Sequence, residues 1–99
     1  MQEQEFRREL EAQGYADIGE FVFEKNQAFG EHTHEWGQCA LVMDGEYILT
    51  VGDEVSHFNA GEICKLAANS LHQEAAGPDG ARLLFGKLHA NGAEDPDKR

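Results

Sequence analysis

His32-Thr33-His34-Glu35-Trp36-Gly37-Gln38-Cys39-Ala40-Leu41-Val42-Met43-Asp44-Gly45 is the stretch whose reading decides the fold. Side chains alternate along a strand, so His32 and His34 aim two imidazoles at one point. Gln38 heads an apolar run that ends at Asp44-Gly45, a strong hairpin signal. Downstream, Gly61-Glu62 follows a short strand pattern, and Leu71-His72 supplies another imidazole. His72 is the candidate to join the first pair, which makes a set of three of the 5 histidines. Neutral imidazoles with an oxygen donor suit one divalent transition metal ion: iron, manganese, nickel, copper or zinc.

The rest of the chain supports a small all-β domain. Residues 3–13 read as a short helix, with Phe6 and Leu10 on one face and Gly14 placed to end it. This helix belongs to an N-terminal packing arm over 1–17. Strands are expected over 18–24, where Phe21 and Phe23 alternate with Glu20, Val22 and Glu24, and over 28–34, 38–43, 46–51, 55–59, 63–66, 72–75 and 81–89. Asp44-Gly45 and Gly77-Pro78-Asp79-Gly80 read as turns. About eight short strands with regular turns indicate a sandwich or barrel over 18–89. Residues 90–99 have no apolar pattern and read as a mobile tail.

Bulk properties narrow the function. A chain of 99 residues is one domain, and its net charge of -11 argues against nucleic acid and anionic membranes as partners. No apolar run approaches a membrane span. The acidic start Met1-Gln2-Glu3-Gln4-Glu5 lacks the basic and apolar regions of a signal peptide, so the cytoplasm is the expected location. Cys39 and Cys64 both lie in apolar strand contexts and read as buried free thiols. A barrel this small gains from covering its strand edges, so a homodimer with residues 1–24 at the contact is expected.

Taken together, His32-x-His34-x3-Gln38-x6-Gly45 and Gly61-Glu62-x9-His72 resemble the two motifs of the cupin family. The resemblance spans roughly residues 18–89 and implies a small double-stranded β-helix, or jelly-roll, barrel with a short N-terminal helix. It maps the metal ligands to His32, His34, Gln38 and His72. Three features depart from the family pattern. Asn26 stands six positions before His32 where the first motif opens with Gly, the prolines usual near the second motif are absent, and Gln38 replaces the usual Glu. A neutral amide in place of a carboxylate predicts a more electropositive site that favours an anionic ligand.

Other residues have narrower readings. Glu74 is two positions beyond His72 and points the same way, which makes it a candidate general base or a group that orients the ligands. Tyr47 and Trp36 are candidates for the pocket or the core. Arg82 and Lys87 are candidates to hold an anion at the mouth or to lie on a solvated strand face. His57 and His89 read as surface histidines, Glu35 as solvated. The function these features imply is a mononuclear metal-binding cupin acting on a small polar or anionic molecule, dioxygenase-like by resemblance. The alternative is a non-catalytic binding or sensor cupin whose metal orients a small-molecule ligand.

Overall fold

The computed structural model describes residues 1–89; the tail expected over 90–99 lies outside them. Helix α1 (Glu3–Ala12) precedes six strands: β1 (Ala16–Phe23), β2 (Ala28–His32), β3 (Gly37–Val51), β4 (Glu54–Asn59), β5 (Ile63–Leu66) and β6 (His72–Leu88). They form one antiparallel sheet of order β1-β6-β3-β4, with β2 also on β6 and β5 also on β3. The long strands β3 and β6 pair with each other and carry all the others. No helix among the described residues is long and apolar enough to cross a membrane.

Two layers of side chains hold this arrangement. On the inner face Phe23, Ala40, Val42, Tyr47, Leu49, Cys64, Ala76, Ala81 and Leu83 form the barrel core. On the outer face Cys39, Leu41 and Leu84 meet Phe6 and Leu10 of α1. The expected packing arm is therefore part of the fold: Phe6 and Leu10 are each only 2% exposed. Burying such a side chain contributes roughly 1.5–3 kcal/mol. Gly14, at φ +90°, ends the helix in a left-handed conformation, and the Tyr15 N–H closes the last turn on the Leu10 carbonyl. Both cysteines are free and buried, Cys39 under the helix and Cys64 inside the barrel.

The expected eight strands are six because two turn signals lie inside strands. Asp44-Gly45 makes no hairpin: β3 runs through it from Gly37 to Val51. Likewise β6 runs through residues 77–80. Both features are irregularities in one ladder, where Gly45 pairs with Ala81 and Tyr47 with Ala76. At this crossing the two backbones touch. Gly45 has φ +79°, and a Cβ there would run into the carbonyl of Gly80. The irregularities also switch the inward parity, from Gln38, Ala40 and Val42 to Tyr47 and Leu49 along β3. Along β6 the switch is from His72, Glu74 and Ala76 to Ala81, Leu83, Phe85 and Lys87. Both long strands bend to follow the barrel, and the ends facing the cavity keep their polar residues inside.

Candidate metal centre

His32 closes β2 and His72 opens β6, and the two are direct partners in the ladder. The strand expected to continue to residue 34 stops at His32, so His34 lies in the segment between β2 and β3. A backbone bond from the Asn69 N–H to the His34 carbonyl, 2.7 Å, ties that segment down. The three rings still converge, with centroids 4.3 Å apart for His32 and His72, 4.9 Å for His32 and His34, and 5.1 Å for His34 and His72. Glu74, two residues along β6, turns inward with them. One donor atom from each of these four residues lies within 4.8 Å of all the others.

The hydrogen bonds fix which nitrogen faces the cluster. His32 Nδ1 donates to the Gly30 carbonyl at 2.7 Å, and His72 Nδ1 donates to the Ser70 carbonyl at 2.8 Å. A carbonyl only accepts, so each Nδ1 carries a proton and each Nε2 is the ring nitrogen turned toward the others, where a metal ion takes up its lone pair. Facing them is Glu74 Oε2, 3.0 Å from His32 Nε2, 3.1 Å from His72 Nε2 and 4.0 Å from His34 Nε2. A nitrogen and a carboxylate oxygen this close need a positive charge between them, a proton or a metal ion. Donors held about 2.1 Å from one ion at right angles stand about 3 Å apart, so these separations fit a metal. Burial, with further pushes from His32 and His72, holds the His34 imidazole below its ordinary value, which keeps it neutral near pH 7.

Tyr47 sets the carboxylate. Its ring is 1% exposed, and its hydroxyl donates to Glu74 Oε1 at 3.1 Å, leaving Oε2 for the histidines. Burial, followed by the Glu74 charge and this hydrogen bond, raises the phenol well above its ordinary range, so it remains a donor. Tyr47 is a core residue, one of the two roles its sequence context allows, but the sequence alone does not reveal its action on Glu74. The signal for that action is its place on the inward face beyond Gly45.

A cavity of about 560 Å³ opens beside the cluster. Gln38 lines it with His32, His34 and Glu74, and Trp36, Lys87, Phe21, Phe29 and Phe85 are also in its wall. Trp36 stacks on His34 at 4.7 Å and 12°, and Lys87 Nζ lies 4.3 Å from the Trp36 ring centre. Among the described residues the indole N–H of Trp36 is buried without a partner. Arg82, the other anion-holding candidate, is not in this wall. It pairs with Asp44 at 2.9 Å and Glu20 at 3.3 Å on the outer surface. His57 is exposed beside Glu46, and His89 contacts Asp17. Glu35 is exposed. Glu62 accepts from the Asn59 N–H at 2.7 Å, so the Gly61-Glu62 pair shapes the turn between β4 and β5. Gln38 stands in the cavity wall beside this cluster, which also holds the Glu74 carboxylate two residues beyond His72.

The family model described as "Cupin domain" matches residues 19–85. The chain belongs to the cupin family. Solved cupins share its fold. A cupin-superfamily protein from Desulfitobacterium hafniense is 21% identical, with a TM-score of 0.66 over 75% of this chain and 70% of that one. A cupin-like protein from Thermotoga maritima is 22% identical, with a TM-score of 0.64 over 79% of this chain and 59% of that one. A protein of unknown function from Rhizobium leguminosarum bv. viciae 3841 is 17% identical, with a TM-score of 0.69 over 73% of this chain and 68% of that one. No curated protein matches the sequence. In this cupin the two histidine motifs meet as the family pattern implies, and the cluster's carboxylate stands at Glu74.

Proposed function

We propose that this cupin is a mononuclear enzyme that holds one divalent transition metal ion and acts on a small molecule in the adjoining cavity. The observation that carries the reading is the pair of Nδ1–H bonds to the Gly30 and Ser70 carbonyls, which turn the Nε2 atoms of two rings onto Glu74 Oε2. His32, His34, His72 and Glu74 are the proposed ligands, and Gln38 is an additional donor from the cavity wall. Three neutral imidazoles and one carboxylate leave a divalent site with one net positive charge. The ion would supply Lewis acidity and, if redox-active, dioxygenase-type chemistry of the kind the family resemblance implies. Glu74 is the proposed catalytic residue, since Oε2 is also placed to take a proton from a molecule bound beside the ion. The non-catalytic binder is the reading that a solvent-facing Glu74 would favour, whereas its side chain is only 12% exposed. Two buried free thiols support a reducing, cytoplasmic setting.

Metal analysis and titration of protein made without a histidine tag test the site. Occupancy close to one ion per chain is expected. His32→Ala, His72→Ala and Glu74→Gln should each weaken binding at least about ten-fold, a change of about 1.4 kcal/mol. His57→Ala and His89→Ala should leave it unchanged, and equal loss in all five variants would refute the assignment. Occupancy should also fall on acidification through the imidazole range, because protonated rings cannot ligate. Oxygen uptake by iron-loaded protein with candidate ligands tests the enzyme reading. Uptake that Glu74→Gln leaves unchanged would remove Glu74 from the chemistry.

A further inference from the structure

From the cavity wall we infer that the ligand of this site is a small aromatic monocarboxylate. The inference rests on the proposed function only in placing the ligand beside the metal cluster. Phe21, Phe23 and Phe29 form one aromatic cluster, with ring centres 4.9, 5.6 and 6.1 Å apart, and all three line the cavity. Phe85 and Trp36 add two more rings to the wall. The phenylalanine rings offer the hydroxyls of a sugar or polyhydroxy acid no hydrogen-bond partner, so polar contacts in this wall fall to Glu31, His32, His34, Gln38, Glu74 and Lys87. A flat apolar ring loses little on transfer from water and gains edge and face contacts. The volume of about 560 Å³ admits a single substituted ring with room to spare.

Charge specifies the substituent. Lys87 is the cationic side chain of this wall, held beside the Trp36 ring, and among the described residues it has no carboxylate partner. Glu74 is already engaged by Tyr47, His32 and His72, so Lys87 is the group left to bind an anion. The net charge of -11 repels each further negative charge on an approaching ligand. One carboxylate satisfies Lys87, and a second would enter a wall that also carries the carboxylates of Glu31 and Glu74. The ring then lies along the phenylalanines with its carboxylate at Lys87.

Trp36 is the single tryptophan and lines the cavity, so its fluorescence reports binding. Benzoate, benzamide and acetate are titrated into the full chain, both metal-free and zinc-loaded. The expected result is a saturable change with benzoate and at least ten-fold weaker responses to benzamide and acetate. Lys87→Met should weaken benzoate about ten-fold and leave benzamide unchanged, while Phe29→Ala should weaken both. Benzamide binding as tightly as benzoate would overturn the anionic requirement, and acetate doing so would overturn the aromatic one. Benzoate bound by protein that takes no metal would uphold the ligand class while refuting the metal site. Metal bound with no benzoate response in either state would refute the ligand class alone.

Discussion

An imidazole that gives its Nδ1–H to a backbone carbonyl has only Nε2 left to offer a ligand, and both His32 and His72 make that bond. Their orientation depends on neighbours that touch no ligand, and Tyr47 is the sharpest case. Tyr47→Phe keeps the buried ring and deletes the donor to Glu74 Oε1. Loss of such a supporting bond typically weakens metal affinity about 10–100-fold, and here roughly ten-fold is expected by calorimetric titration, with the fold intact. An unchanged affinity would mean that Glu74 is positioned without Tyr47. Gln38→Glu tests the opposite wall. At about 4 Å and an effective dielectric near 20 one added charge is worth roughly 4 kcal/mol before relaxation, so a realised gain of ~1 kcal/mol in metal binding is a cautious expectation. Because Glu74 is already present, the same substitution places two carboxylates in one metal-free site. The metal-free protein should therefore melt lower while the loaded protein binds more tightly. Equal metal binding by wild type, Gln38→Glu and Gln38→Ala would remove Gln38 from the ligand set. A third prediction concerns Cys64, whose thiol is pushed up to about 12, first by burial and then by Cys39 and Glu74. Between the ordinary value and that one, the unfolded chain releases the thiol proton and the folded chain keeps it. The folded state thus binds more protons, and stability must fall as pH rises through that window. The stability advantage of wild type over Cys64→Ala, read from urea melts, should shrink from about pH 8.5 upward. An advantage that grows with pH would contradict the burial argument.

At the scale of elements, the crossing of β3 and β6 governs both shape and site. Gly45 and Gly80 let the two backbones touch, and the register irregularities there change which residues face inward. Gly45→Ala introduces a Cβ against the Gly80 carbonyl at a positive φ, with no flexible side chain to give way. A loss of roughly 2–4 kcal/mol is expected by urea denaturation, the range of strain at an over-determined backbone position. Gly19→Ala, where a Cβ meets nothing within 4 Å, is the control and should be close to neutral. Equal melts for the two variants would show that the crossing relaxes freely. The same crossing explains where the sequence is and is not legible. His32, His34 and His72 are readable from the motif spacing, although His34 reaches the cluster from the segment after β2 and not from the strand alternation that spacing by two assumes. Glu74 is readable as inward-facing from strand alternation, since no irregularity separates it from His72. Tyr47 is not tied to Glu74 by sequence because they meet only across the ladder, where Tyr47 pairs with Ala76 and Leu49 with Glu74. Asp44-Gly45 and residues 77–80 carry hairpin chemistry, yet hairpin and bent strand share the same local requirement of a positive φ. Only pairing with a distant strand distinguishes them. Lys87 and Arg82 separate for a related reason: odd and even positions of β6 beyond Gly80 face opposite sides, and that parity is set by a bulge the sequence does not display.

Taken whole, the sheet has two terminal strands among the described residues, β1 and β4. β1 is terminal in the order β1-β6-β3-β4, and among the described residues it pairs only with β6. Its middle residues are apolar and uncovered, with Phe21 41% and Val22 62% exposed. An unpaired apolar edge invites pairing with another strand unless it is charged, bulged or covered. β1 has one irregularity, between Ala16 and Gly19, but its distal half, from Gly19 to Phe23, pairs in regular register with β6. The proposed occupant is a second copy of the chain, joined through β1 about a two-fold axis so that each edge covers the other. The small size of the barrel favours this arrangement, because a chain of 99 residues buries only a modest share of its surface alone. Val22 faces away from the cavity lined by Phe21 and Phe23, so Val22→Lys places a charge on the proposed contact without entering the binding site. Sedimentation equilibrium at high micromolar concentration should show a dimer for wild type and a monomer for Val22→Lys, each with the same metal stoichiometry. A wild-type monomer would refute the assembly. A dimer that persists in Val22→Lys would move the contact away from β1, and the exposed apolar edge would then need another partner to explain it.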